Sequence, residues 1–210
     1  MKSVKLIVCV AAAALLAGCA APASQQYYTL MPQAQAPAHL ATASASFAIR
    51  VLPVSVPEQV DRPQIMLSTQ GSNEMTMLNG SLWASPLADE IRSALSSDLS
   101  ARLGVMDIPG GPAPESVPLW RIGVTVQRFD SVYGSQALID ATWRLDGPAR
   151  EKKPARICRA VIRVPVEPGV APMVRGHQKA VGYLAAAIAS QLSKTPLDVP
   201  GGSVIMKGCT

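Results

Sequence analysis

Apolar side chains recur along this chain in two rhythms, every second position in some stretches and every third or fourth in others. Between residues 47 and 56, Phe47, Ile49 and Val51 alternate with Ala48, Arg50 and Leu52, the period of a strand. Pro53 marks an edge or a bulge there, because proline has no N–H to give to a ladder. Two short apolar runs, 64–69 and 74–78, flank Gln70-Gly71-Ser72-Asn73, whose Gly and Asn tolerate positive φ, and together predict a hairpin. The period then lengthens. Leu87, Ile91, Leu95, Leu99 and Leu103 are spaced by four, which sets them along one side of a helix. Ser85 suits its N-cap, Pro86 its first turn and Gly104 a left-handed C-cap, while Asp89 and Glu90 complement the dipole.

After a Gly- and Pro-rich loop at 110–118, period two returns three times, over 119–129, 136–145 and 156–164. Ile122, Val124 and Val126, then Ala137 to Leu145 at alternate positions, then Cys158, Ala160, Ile162 and Val164 form one face. Asp140, Arg144, Arg159 and Arg163 fall on the other, which predicts an antiparallel meander with one wet side. Residues 173–194 are helical in period, with Met173, His177, Ala180, Val181, Leu184, Ile188 and Leu192 on one face. The expected fold class is therefore α+β: a largely antiparallel sheet of about six strands, with two long helices packed on one face. The expected order is β-β-β-α-β-β-β-α, in a single domain over 47–194 followed by a tail over 195–210.

The leader fixes the compartment. Lys2 and Lys5 precede the apolar run 6–17, and Leu16-Ala17-Gly18-Cys19 follows, the pattern of a secretory signal over residues 1–18. Its apolar run is shorter than the roughly 20 residues a bilayer span needs. Leu-Ala-Gly-Cys resembles the bacterial lipobox, in which the cysteine is acylated after cleavage, and Ala20 in place of aspartate favours the outer membrane. Residues 19–46, rich in Ala, Gln, Pro and Ser, read as a lipidated flexible tether, with Tyr27-Tyr28-Thr29-Leu30 its one core-like patch, able to dock as a short edge strand. As a coil that tether reaches roughly 25–30 Å, so the domain need not touch the bilayer. Loss of Lys2 and Lys5 lowers the formal charge of +5 by two, and no basic run carries interleaved aromatics, so nucleic acid is not an expected partner. Of four cysteines, Cys9 leaves with the leader and Cys19 is modified. Cys158 and Cys209 either pair in an oxidising compartment or stand as a small buried residue and a free thiol.

Candidate chemistry is sparse. His39 lies in the tether and His177 on an apolar helix face, where a structural role outweighs a catalytic one. Val132-Tyr133-Gly134-Ser135-Gln136 lacks the second glycine of a nucleophile elbow. Asp89 and Glu90 are adjacent on a helix and point differently. The meander arginines read as cross-strand charge pairs, and they would suggest an anionic headgroup site only if they crowded a cleft. No His/Cys spacing fits a metal, and no cofactor is expected. A periplasmic hydrolase would need a nucleophile and base together in a cleft. Trp83 either staples the start of the helix onto the sheet or anchors a partner.

Lipobox, Tyr27-Tyr28-Thr29-Leu30, strand, hairpin, then Asn79-Gly80-Ser81-Leu82-Trp83-Ala84-Ser85-Pro86-Leu87 leading into an amphipathic helix, meander and final helix: this order resembles the ABC-type transport auxiliary lipoprotein family. The resemblance spans residues 19–194, and its sharpest string is Leu82 to Leu87. It implies a non-enzymatic, outer-membrane-anchored periplasmic component working with an MCE-domain protein and an ABC permease and ATPase in intermembrane lipid transport. It also implies possible self-association into rings, with Leu82, Trp83, Pro86 and Leu87 as contact candidates. The tail carrying Cys209 and the long Ala/Pro tether depart from the family pattern. The alternative is a structural lipoprotein of another envelope machine serving secretion, a pilus or outer-membrane assembly.

Overall fold

The computed structural model describes residues 24–32, 46–111, 116–148, 150 and 154–210. The signal sequence, Cys19, His39 and most of the expected tether lie outside the described residues. Ten elements follow one another: β1 (Gln26–Tyr28), β2 (Ala48–Val51), β3 (Gln64–Ser68), β4 (Met75–Trp83), α1 (Leu87–Leu103), β5 (Leu119–Val132), β6 (Gln136–Asp146), β7 (Arg156–Pro165), α2 (Val170–Ser193) and β8 (Val204–Cys209).

The class is α+β with two helices, as the periodicities predict. The sheet differs from the expectation of about six largely antiparallel strands, because it has eight and is mixed. Its path is β1-β4-β3-β5-β6-β7-β8, with β2 also paired to β5. The hairpin and the meander are antiparallel, whereas β1 runs parallel to β4, and β2 and the end of β3 run parallel to β5. The order β-β-β-α-β-β-β-α is corrected accordingly: a fourth strand precedes α1 and another follows α2. The additions are a three-residue strand inside the expected tether and a strand inside the expected tail. Neither shows a buried alternation, because both lie at sheet edges and satisfy their backbone groups by pairing more than by burying side chains.

Both helices contribute to one core. Leu87, Ile91, Leu95 and Leu99 of α1 are buried with Met173, Val181, Leu184 and Ile188 of α2 and with Ile122, Ile139, Trp143 and Ile162 of the sheet. The C-cap of α1 is Gly104 in the left-handed region at φ 63°, as predicted. Its N-cap is Pro86 rather than Ser85, and no side chain caps it, because the Ser85 hydroxyl is committed elsewhere. α2 starts at Val170, ahead of the expected 173, after Gly169 at φ 120°.

A bulge between Val126 and Arg128 decides what β5 shows the core. Before it Ile122, Val124 and Val126 point inward; after it Phe129 and Ser131 do. One extra residue thereby inverts the alternation.

Candidate functional site

The strings 27–30 and 82–87, some 55 residues apart, meet in the fold. β1 pairs with the end of β4 so that Tyr27 faces Leu82 and Tyr28 faces Trp83, and Ala84 N–H donates to Tyr28 O at 2.7 Å. The chain beyond β1 is fastened by the Glu90 carboxylate in the first turn of α1. Its Oε2 accepts from Thr29 Oγ1 and from Leu30 N–H, each at 2.7 Å, and its Oε1 accepts from Ser85 Oγ at 2.8 Å. From α2, Gln178 Nε2 donates to Thr29 O and Met31 O at 3.0 and 3.2 Å. Leu30 is thereby seated in the core. A buried carboxylate with three donors at a helix N-terminus has its charge compensated by hydrogen bonds and dipole together. Sequence reasoning assigned Glu90 only to the dipole. The hydroxyls of Thr29 and Ser85 were the available signal for the rest.

Of the four contact candidates, Leu82, Trp83 and Leu87 are buried and Pro86 is exposed, with Ala84 exposed beside it. Trp83 meets Phe129 edge-on, ring centroids 6.1 Å apart, and Phe129 stacks on His177 at 3.9 Å. This aromatic column joins the start of α1 to the middle of α2 through the sheet. Trp83 therefore takes the stapling role.

His177 Nε2 lies 2.8 Å from Ser131 Oγ. A serine beside a histidine is what a hydrolase would require, yet the surroundings are unsuited to one. The histidine is 0% exposed and Ser131 is buried, and Nδ1 has no hydrogen-bond partner, so no acid orients the ring. Burial alone pushes the imidazole down to about 3. A groove of about 340 Å³ lies at the C-terminal ends of both helices among Arg102, Ser190, Ser193 and Asp198, and neither His177 nor Ser131 lines it.

The arginines of the open sheet face do not line that groove either. Arg159 grips Asp140 with two hydrogen bonds of 2.9 and 2.8 Å, and this holds the Asp140 carboxyl below its ordinary range. Arg144 turns to Asp146 and Arg128 to Asp130, each along its own strand. Cys158 and Cys209 face each other across β7 and β8, Cα atoms 4.1 Å apart, joined by a disulfide. Among the described residues there is no cluster of three His, Cys, Asp or Glu able to hold a metal, and no helix long and apolar enough to cross a membrane.

Similarity to known proteins follows the same frame. The family described as the ABC-type transport auxiliary lipoprotein component matches residues 28–189. The intermembrane transport lipoprotein PqiC of Escherichia coli K12 is 26% identical over 189 residues, 88% of this chain and 96% of its own, and PqiC of Shigella flexneri matches equally. Among solved structures, an uncharacterised protein superposes with TM-score 0.59 at 20% identity, over 80% of this chain and 99% of its own. A Xanthomonas campestris protein does so with TM-score 0.56 at 16% identity and the same coverage, and both establish likeness of fold. With most of its length matched, from the Tyr28 strand to the last turns of α2, the chain belongs to the ABC-type transport auxiliary lipoprotein family.

Proposed function

We propose that this protein is a periplasm-facing lipoprotein, acylated at Cys19 after removal of residues 1–18 and held at the outer membrane. There it serves as a non-enzymatic auxiliary component of an intermembrane lipid transport system, docking the conduit formed by an MCE-domain protein and driven by an ABC permease and ATPase. The observation that carries this reading is the likeness to PqiC along nearly the whole length of both chains. Two physical features support it. The leader ends in Leu-Ala-Gly-Cys, and an acyl anchor keeps a docking body at high effective concentration near its partner. The Ser131–His177 pair is sealed inside the core, where a substrate does not reach it. The exposed part of the Leu82–Leu87 string, Ala84 and Pro86, is the portion of that string offered to a partner or to a second copy.

Affinity capture of the full-length protein from detergent-solubilised envelopes is expected to recover an MCE-domain protein and an ABC permease. Palmitate labelling is expected to disappear in Cys19→Ala. Capture of secretion, pilus or outer-membrane assembly components without any MCE or ABC protein would instead support a structural lipoprotein of another machine.

A further inference from the structure

We propose that the outer face of β1 and the β3–β4 hairpin, carrying Tyr27, Met75 and Met77, rests on the phospholipid leaflet that holds the acyl chains. This rests on the reading of Cys19 as the acylated residue. Met75, Met77 and Tyr27 are exposed, whereas Met66 is half-buried and packs against the core cluster. Met66 is opposite Met77 and Ser68 opposite Met75, while Ile65 and Leu67, between them along β3, are buried in the core. On β1, Tyr28 beside Trp83 packs against the core, so Tyr27 beside Leu82 points outward. Tyr27 is 63% exposed, Met75 40% and Met77 43%. Between Gln64 and Trp83 the sole charged residue is Glu74, and β1 has none. Leu82, beside Tyr27, is buried, whereas Tyr27, Met75 and Met77 stay exposed.

The occupant follows from the length of chain between anchor and fold. Residues 20–25 alone separate Cys19 from β1. Fully extended they reach about 25 Å, and as a coil about 15 Å. The long tether expected over 19–46 is therefore interrupted by β1 close to its start, and the edge formed by β1 and β4 is the part of the folded body held nearest the headgroups. The opposite edge, β8, stands about 30 Å away across the sheet. The chemistry of the near face suits an interfacial position. Thioethers are flexible and adapt to an irregular apolar boundary, and a tyrosine buries its ring while its hydroxyl stays wet. An apolar face with a single nearby carboxylate enters the headgroup region without stranding charge.

The test uses the full-length acylated protein reconstituted in phosphatidylethanolamine–phosphatidylglycerol vesicles whose acyl chains carry bromine, a short-range quencher. Tyr27→Trp and Met77→Trp each place an indole on the patch, and Met206→Trp places one on β8. Relative to the parent chain in the same vesicles, the added emission is expected to be lost at 27 and 77 and retained at 206. Equal emission at all three positions overturns the inference and leaves the anchor intact, provided the protein floats with the vesicles. A chain that does not float overturns the acylation reading and this inference with it. An indole at 77 that is already shielded from aqueous quencher without lipid shows a protein occupant, a second copy or residues 33–45, and also overturns it.

Discussion

His177 sits against Phe129 and Ser131 with its Nδ1 unpaired, and this has a consequence in pH. The neutral ring is the folded form, since burial lowers its affinity for protons to about 3 from an ordinary 6.5. On unfolding the ring recovers that affinity, so between those two values the unfolded chain binds more protons. The contribution is fully present above about 6.5 and is lost as the pH falls toward 3. From pH 7.5 to 5 the unfolding free energy is expected to drop by about 2 kcal/mol, measured by urea denaturation, and His177→Leu is expected to flatten that slope. Helical spacing alone put His177 on a buried face. Its partner was not legible, because Ser131 turns inward only after the bulge following Val126, where the apolar spacing slips to three at Phe129, and a polar serine adds nothing to an apolar alternation.

Elements that bury a whole face were readable. α1 and the β5–β6–β7 meander stand where their periods put them, because each repeats one apolar choice many times. β1 and β8 were less visible, with three and six residues and mostly exposed side chains. The parallel pairings were not visible at all, since alternation tells a strand which face is buried but not which neighbour it takes. Packing of α2 on the sheet depends on Gly176 in the same way. A Cβ there would lie 2.3 Å from Val166 Cγ1 and 3.1 Å from Ala137 Cβ. Gly176→Ala would gain up to about 1 kcal/mol of helix propensity, yet is expected to destabilise by about 1–3 kcal/mol through overpacking, seen as a lower urea midpoint with an unchanged m-value.

At the level of the whole molecule, Glu90 closes the fold by tying a segment 60 residues upstream to α1. Glu90→Ala leaves Leu30 N–H and two hydroxyls without their acceptor. It is expected to cost about 2–4 kcal/mol in urea denaturation and to speed hydrogen exchange at Leu30 well beyond that at Ile139. The candidate site was half legible: the strings 27–30 and 82–87 stood out in the sequence, while the carboxylate joining them looked like routine helix-dipole chemistry. Because β1 depends on Ser81–Trp83 and on Glu90, it acquires a mate only after those residues arrive. In a polypeptide that crosses a membrane amino end first, the leading stretch therefore stays slack while the next sixty or so residues emerge. On the proposed reading of Cys19 as the acylated residue, that interval would give leader-processing and fatty-acid-transferring enzymes an unfolded substrate before the domain draws its own beginning in.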